Sequence, residues 1–411
     1  MKLLLKLAWR NIWRNKRRSL LTLAAVAFAT FAAIGMRGIQ LGTYDVNIKN
    51  AASMFAGYLQ VQKNGYQENP RLRKAVKYDE KLIAAIKAEE HITGFTPRIY
   101  ADGLVSGEKS KTSQGTAVFA VDPESEKKVT TLVERVNEGR FISSSDSYEI
   151  VVGHKLLKNL NAEIGDTLVL LSQGFDGSMG NFKFEVTGTI KTGSSDLDGM
   201  GVIIGLDTAR ELLYMYGKVH AVVLMLDNME LIDDVKTSLS QAITDTSAVV
   251  LNWGEVMPDF KQSIEFDNIS GIMMLAILIV IVAFGILNTV LMSVTERFNE
   301  FGVTLSIGMP QIKLVYLVII ETIFITIIGI IIGDIGGWVL NNYIVDNPIH
   351  LGAEFADMYA EYGFLPIIES SLDYMIFVNV SISVVIISLI SVVYPAMKVY
   401  KLEALKGIRY T

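Results

Sequence analysis

The chain has 411 residues, of which 51% are hydrophobic and 19% charged, at a mean hydropathy of +0.37. A soluble domain carries about a quarter charged residues, so a wholly soluble protein is excluded. The absence of cysteine excludes disulfides, thiolate metal sites and a cysteine nucleophile, and the net charge of −6 hides a segregation of sign along the chain.

Residues 1–19 read as a cytoplasmic interfacial helix. Leu5, Trp9, Ile12 and Trp13 recur at i, i+4, i+7 and i+8, with Lys6, Arg10, Arg14 and Arg17 on an adjoining face. Trp9, Arg10, Trp13 and Arg14 are the expected membrane-interface residues, since indoles and long basic side chains suit the headgroup layer. A topogenic signal with no further role is the alternative.

Four apolar runs follow, each long enough to cross the roughly 30 Å hydrocarbon core as a helix. They predict spans at 20–42, 267–294, 314–345 and 374–395, one plus three. The first exceeds a signal-peptide core and is read as a retained anchor. Lys2, Lys6, Arg10, Arg14 and Lys16 to Arg18 precede it, and Lys398, Lys401, Lys406 and Arg409 follow the last. The loop 346–373 has no Lys or Arg and carries Glu354, Asp357, Glu361 and Glu369. Both termini, the tail 396–411 and the connection 295–313 are therefore expected in the cytoplasm, with 43–266 and the acidic loop outside.

The segment 43–266 mixes strands and helices. Strands are expected at 58–62, 116–121, 167–171, 182–190, 201–204 and 221–226, and helices at 80–89, 154–160, 208–215 and 231–243. Glycine-rich turns fall at 174–180 and 193–201, where Asp176, Asp196 and Asp198 read as solvated. A subdomain boundary near Gly139 is possible. From Trp253 an amphipathic pattern with Phe260 and Phe266 runs into the second span, as a stiff lever would. Gly329, Gly333, Gly336 and Gly337 of the third span favour close approach to a helix, from a neighbouring span or another subunit.

Catalytic and metal motifs are missing. The nearest approach to a phosphate loop, Gly103 to Ser110, has the wrong spacing, and the four histidines form no ligand pair. No EF-hand order or nucleophile elbow is present. Glu321 lies about 10 Å deep in the third span at 1.5 Å per residue. A polar contact with a basic group on another helix explains it better than a proton relay, for which the other spans offer no partners.

The connection between the second and third spans is the most informative stretch. It places Glu296, Arg297 and Glu300 directly after an apolar run, followed by Gly302 and Gly308. Glu296-Arg297-x-x-Glu300-x-Gly302, then Ser306-Ile-Gly308, then a span with Glu321, resembles the E-R-x-x-E-x-G…A-x-G pattern of the FtsX-like ABC permeases. These include the MacB type and the lipoprotein-releasing LolC/LolE type. Residues 7–22 are similar to the family's N-terminal cytoplasmic helix, 151–166 to a G-x-x-L…G-D element of its periplasmic core domain, and 394–406 to its closing signature. Gly57-Tyr-Leu-Gln-Val-Gln-Lys-Asn-Gly-Tyr66 looks most like the lipoprotein-releasing members. Ser306 replaces the usual Ala, and the Pro commonly found after the Leu at 402 is absent.

The resemblance implies an α-helical membrane protein with four transmembrane helices and a large mixed α+β extracytoplasmic domain of the MacB periplasmic-core type, in a bacterial inner membrane. It implies a non-catalytic permease subunit that binds no cofactor itself, with ATP and Mg on a separate cytoplasmic ABC ATPase present in two copies. Glu296, Arg297, Glu300, Gly302 and Gly308 would couple to that ATPase, the charges through ion pairs and the glycines through close contact. A second permease subunit, identical or paralogous, is implied, with a lipoprotein substrate, a periplasmic carrier and the lipid bilayer as further partners and no nucleic acid. Phe260, Phe266, Ile269, Met273 and Met274 are candidate substrate-lining residues or, equally, a packed helix interface. The alternatives are an efflux or mechanotransmission permease, transmembrane signalling to cell-wall hydrolases, and a channel.

Overall fold

A computed structural model describes residues 2–14, 16–107, 113–352, 359 and 364–403, which form two compact units. Glu354, Asp357, Glu361 and the end of the tail from 404 lie outside the described residues. One unit is helical and comprises Met1–Asp45, Ile264–His350 and Ile367–Thr411; the other is mixed and comprises Val46–Ser263 and Leu351–Pro366.

Among the described residues, four helices are long and apolar enough to cross a membrane, at Lys16–Ala56, Pro258–Glu296, Gln311–Asp346 and Tyr374–Tyr400. The last five residues of the first form a π-helical turn, and Gly57 at φ +65° ends it. A side chain at Gly57 would stand 2.6 Å from the Leu224 carbonyl oxygen, so both the backbone angle and the space call for glycine. The helices run several residues past the expected spans, because polar turns at their ends still satisfy their own backbone.

Small residues bring the first and third spans together. A Cβ on Gly329, Gly333 or Gly337 would lie 2.7 Å from Val26, 2.5 Å from Thr30 or 2.6 Å from Ile34. This glycine face is thus filled by the neighbouring span of the same chain. Thr326 and Ser388 hydroxyls, 2.6 Å apart, join the third span to the fourth, and Ser381 lies 3.3 Å from Asp334. The second span is the least covered, with 11% of its apolar stretch buried against 44% for the first.

The N-terminal helix, Lys2–Arg14, buries Leu4, Ala8 and Ile12. Leu4 and Ala8 cluster with Leu317 of the third span, flanked by Ile320 and Phe324. The expected stripe is therefore rotated by about one position. Leu5, Trp9 and Trp13 are exposed, and the smaller Ala8 permits the close contact that an indole would prevent.

Twelve strands are described in the mixed unit: β1 (Leu59–Lys63), β2 (Val76–Lys77), β3 (Ile92–Gly107), β4 (Ser113–Val121), β5 (Val136–Gly139), β6 (Glu149–Gly153), β7 (Thr167–Gln173), β8 (Met179–Ile190), β9 (Gly201–Gly205), β10 (Lys218–Val219), β11 (Ala221–Leu226) and β12 (Ala248–Asn252). Ten share one sheet in the order β12-β1-β11-β3-β4-β9-β6-β8-β5, and β7 joins β3 to β8. The ladders β3-β4-β9-β6-β8-β7 consequently close into a ring. Val105, Leu168, Leu170, Phe184, Val186, Ile150 and Val202 are fully buried in its core, at about 1.5–3 kcal/mol for each large apolar side chain.

The sixteen-residue β3 makes the closure possible. Its first half, Ile92 to Arg98, pairs with β11, and Gly103 to Gly107 pair with β7, while β4 flanks the strand from Arg98 onward. Gly94, Pro97 and Gly103 conceal this strand in the sequence. Pro97 is tolerated because it precedes the residues that β4 flanks. No boundary falls at Gly139, since β5 pairs with β8 inside the same sheet. The 193–201 turn is also different from expectation. It contains a short helix, Ser195–Met200, and Asp198 is buried, accepting hydrogen bonds from the Thr192 and Gly193 amides at 2.8 and 3.2 Å.

The lever pattern likewise begins later than its sequence suggests. Trp253–Val256 is a separate helix closed by an Asn252/Glu255 capping box, and the continuous helix starts at Pro258. Proline at a first helical position has no amide to leave unpaired.

Candidate coupling site

The second span ends at Glu296, where Arg297 leaves helical geometry (φ −98°, ψ 11°). A nine-residue helix follows, Phe298–Ser306, which buries Phe298, Phe301 and Gly302. Its end is closed by Gly308 N–H donating to the Leu305 carbonyl at 3.0 Å and Met309 N–H to that of Thr304 at 3.2 Å. Gly308 has φ +100° with open space around it, so conformation and not crowding selects glycine. Pro310 then precedes the third span, Gln311–Asp346.

Arg297 is not a surface group. Its side chain is 8% exposed, and Nη1 donates to both carboxylate oxygens of Glu321, at 3.1 and 2.8 Å. The guanidinium also lies 4.9 Å from the centroid of the Phe301 ring. Asn11 of the N-terminal helix donates its Nδ2 to Glu321 Oε1 at 2.6 Å. A carboxylate of the third span is thus shared by the connection and the N-terminal helix. Ser19, Thr22, Thr289, Ser293 and Thr322 line a cavity of about 50 Å³ beside this pair, together with Ile286, Val290, Val294 and Val318.

The two exposed acids of the connection are engaged by the same N-terminal region. Arg14 Nη2 donates to both Glu300 oxygens at 2.5 and 2.6 Å, and Arg18 forms a bidentate pair with Glu296 at 2.6 and 2.5 Å. The Arg14 hydrogen bond holds the Glu300 carboxyl below the usual carboxylate range. Three arginines therefore face three carboxylates, and the cluster has no excess charge.

The expectation that Arg297 offers an ion pair to another protein is corrected by this arrangement: burial and Glu321 use its charge internally. Glu296 and Glu300 remain partly exposed but are already paired. The connection also presents its last turn outward, with Val303 51% and Ile307 83% exposed beside exposed Ser306 and Gly308. Sequence reading missed Asn11 and Arg18 as members of the cluster. Arg18 was visible only as one of several basic residues before a span.

The other singled-out residues are dispersed. Trp9 stands edge-on to Trp13 at 6.0 Å and to Phe324 at 5.9 Å, and Arg10 is exposed. Phe266, Ile269, Met273 and Met274 are all exposed on the second span. Phe260 does not join them: its ring packs against Trp253 at 6.3 Å and Phe364 at 5.3 Å within the mixed unit.

Residues 19–242 match the MacB-like periplasmic core domain, and residues 272–404 match the FtsX-like permease C-terminal domain. The chain belongs to the FtsX-like permeases. The lipoprotein-releasing system transmembrane protein LolC of Xylella fastidiosa (strain 9a5c) is 22% identical over 340 residues, 80% of either chain. MacB, a macrolide export ATP-binding/permease protein, from Bdellovibrio bacteriovorus is 23% identical over 433 residues, covering 98% of this chain and 61% of its own. The periplasmic region of MacB from Actinobacillus actinomycetemcomitans covers 53% of this chain and 97% of its own at 12% identity, with a TM-score of 0.36. This FtsX-like permease is a multi-pass membrane protein of the LolC/MacB type of ABC transporter permease, a family that works with a partner ATPase.

Proposed function

We propose that this permease extracts lipoproteins from the outer leaflet of the inner membrane, driven by a separate cytoplasmic ATPase, and passes them to a periplasmic carrier. The similarity to LolC over 80% of both chains carries this reading. ATP and Mg bind the two ATPase copies, both termini of the permease lie in the cytoplasm, and a second permease subunit completes the transporter. The exposed apolar turn at Val303 and Ile307 seats in the ATPase. Gly308 shapes the turn, while Arg297, Glu296 and Glu300 hold it rigidly to the N-terminal helix and third span.

Extraction brings acyl chains past water at about 0.8 kcal/mol per methylene, so an apolar route is needed. The exposed Phe266, Ile269, Met273 and Met274 supply one on the least covered span. Efflux or mechanotransmission in the manner of MacB is the second reading, favoured by the match to MacB over 98% of this chain.

Co-purification with the ATPase, and measurement of hydrolysis with and without triacylated lipoprotein, tests the proposal. Stimulation by lipoprotein is expected. A complex indifferent to lipoprotein selects the second reading, and failure to form any complex overturns both.

A further inference from the structure

At the end of the first span nearest the 46–263 insertion, Arg37 carries a charge with no carboxylate partner among the described residues. Its hydrogen bonds run through Nη1 alone, to Gln40 Oε1 at 2.6 Å and Asn268 Oδ1 at 2.9 Å. Both acceptors are neutral amides. Gln40 is held in turn by Tyr44 and Asp267, and a Cβ on Gly271 would stand 2.2 Å from it. The guanidinium is therefore fixed in place with no carboxylate in direct contact, the nearest acid of its network, Asp267, reaching it only through Gln40 and Tyr44.

Arg37 lines a cavity of about 230 Å³ between the first, second and fourth spans. Leu41, Ile272, Leu275, Ile376 and Val380 form its apolar wall. Asp373 stands at its rim, one residue before the fourth span. One Asp373 oxygen accepts from the Met375 amide at 2.9 Å, and its side chain is exposed. A cation, an anion and an apolar wall thus meet where a span emerges from the membrane. The volume is below the roughly 300–1,000 Å³ of a site that encloses a drug-sized ligand. It suits a headgroup whose chains stay outside along the wall.

We propose that this cavity is a binding site for a zwitterionic phospholipid with a primary ammonium headgroup, its phosphate on Arg37 and its ammonium on Asp373. Arginine matches phosphate oxygens with its planar fork, and the Arg37 fork has donors free of any direct carboxylate contact at membrane depth. The carboxylate then discriminates among headgroups. A primary ammonium donates hydrogen bonds to it, a quaternary ammonium cannot, and an anionic headgroup is repelled. The inference depends on the chain spanning a membrane and is independent of the transported substrate.

The full chain in nanodiscs with equal parts of ethanolamine, choline and glycerol phospholipids tests it, with retained lipids counted by native mass spectrometry. The ethanolamine lipid should be retained over the other two by roughly tenfold, the worth of one charge-assisted hydrogen bond. Asp373→Asn keeps the helix cap and should bring the ethanolamine-to-choline ratio to about one by lowering ethanolamine retention about tenfold, with choline retention unchanged. Arg37→Gln should lower retention of all three about tenfold. Retention in proportion to the mixture, preference for the glycerol lipid, or an unchanged ratio in Asp373→Asn would each overturn the proposal. The Asp373 variant decides the matter alone if Arg37→Gln does not fold.

Discussion

Arg297 reaches across 24 residues of sequence to place both arms of its Nη1 contact on Glu321, at 3.1 and 2.8 Å. Neither charge is tolerable alone at that depth, so each explains the other. Removing one partner of such a pair costs about 3–5 kcal/mol, while replacing both by apolar residues of similar volume is far milder. Glu321→Ala should therefore lower the unfolding temperature of the detergent-solubilised chain sharply. Arg297→Met with Glu321→Leu should recover most of the loss. Equal losses in the single and double variants would mean that the pair is not coupled.

The exposed pairs Arg14–Glu300 and Arg18–Glu296 should behave differently. Exposed ion pairs contribute about 0–1 kcal/mol, so Glu300→Arg should cost less stability than Glu321→Ala. If the cluster holds the turn for the ATPase, that variant should still reduce ATPase recruitment, and adding Arg14→Glu should restore it. Val303→Asp with Ile307→Asp should abolish recruitment outright, read by co-purification, with membrane insertion intact.

Span packing gives a contrast between two glycines. Gly333→Val would force a side chain into Thr30, where a Cβ already stands 2.5 Å away, and overpacking costs about 1–3 kcal/mol. Gly285→Ala meets nothing within 4 Å and should be neutral or slightly stabilising. Thermal unfolding of the two variants checks the difference, and equal effects would remove the first span as the filler of the glycine face.

In the mixed unit, Arg98 and Glu126 are 3% and 0% exposed and form a buried pair. Thr96 and the Phe55 carbonyl satisfy the remaining sites. Glu126→Ala should cost about 3–5 kcal/mol in unfolding free energy. A loss below about 1 kcal/mol would be the signature of an exposed pair, and would contradict this burial.

His220 makes the same unit sensitive to acid. Its Nδ1 accepts the Tyr100 amide at 3.0 Å, and Nε2 lies 3.0 Å from the Leu72 carbonyl, which suits the neutral ring. Burial lowers its pKa from 6.5 to about 4. Between those values the unfolded chain binds the extra proton, so stability falls as pH drops through this window and the loss is complete below about 4. Urea titrations at pH 7, 5.5 and 4 should show the decline, and His220→Gln should flatten it.

Long apolar runs made the spans readable, period-two alternation marked β1, and β-branched or apolar composition marked β4, β7, β8, β9 and β11. These signals are local. β3 was hidden because its glycines and proline are excused only by the partners it acquires in the closed ring. The coupling cluster was half visible for a similar reason. Glu296, Arg297 and Glu300 announce themselves by position, but whether they face outward depends on Asn11, Arg14 and Arg18, nearly 300 residues earlier. Asp198 shows the reverse error, in which a turn-like composition concealed a buried carboxylate that organises its own loop.

The mixed unit receives the chain at β1 and returns it at β12, and these strands are antiparallel neighbours, with Leu59 opposite Asn252 and Lys63 opposite Ala248. Both leads consequently leave from the same end of one ladder. Pulling them apart would load its hydrogen bonds one after another, as in a zipper, whereas displacing them together loads none.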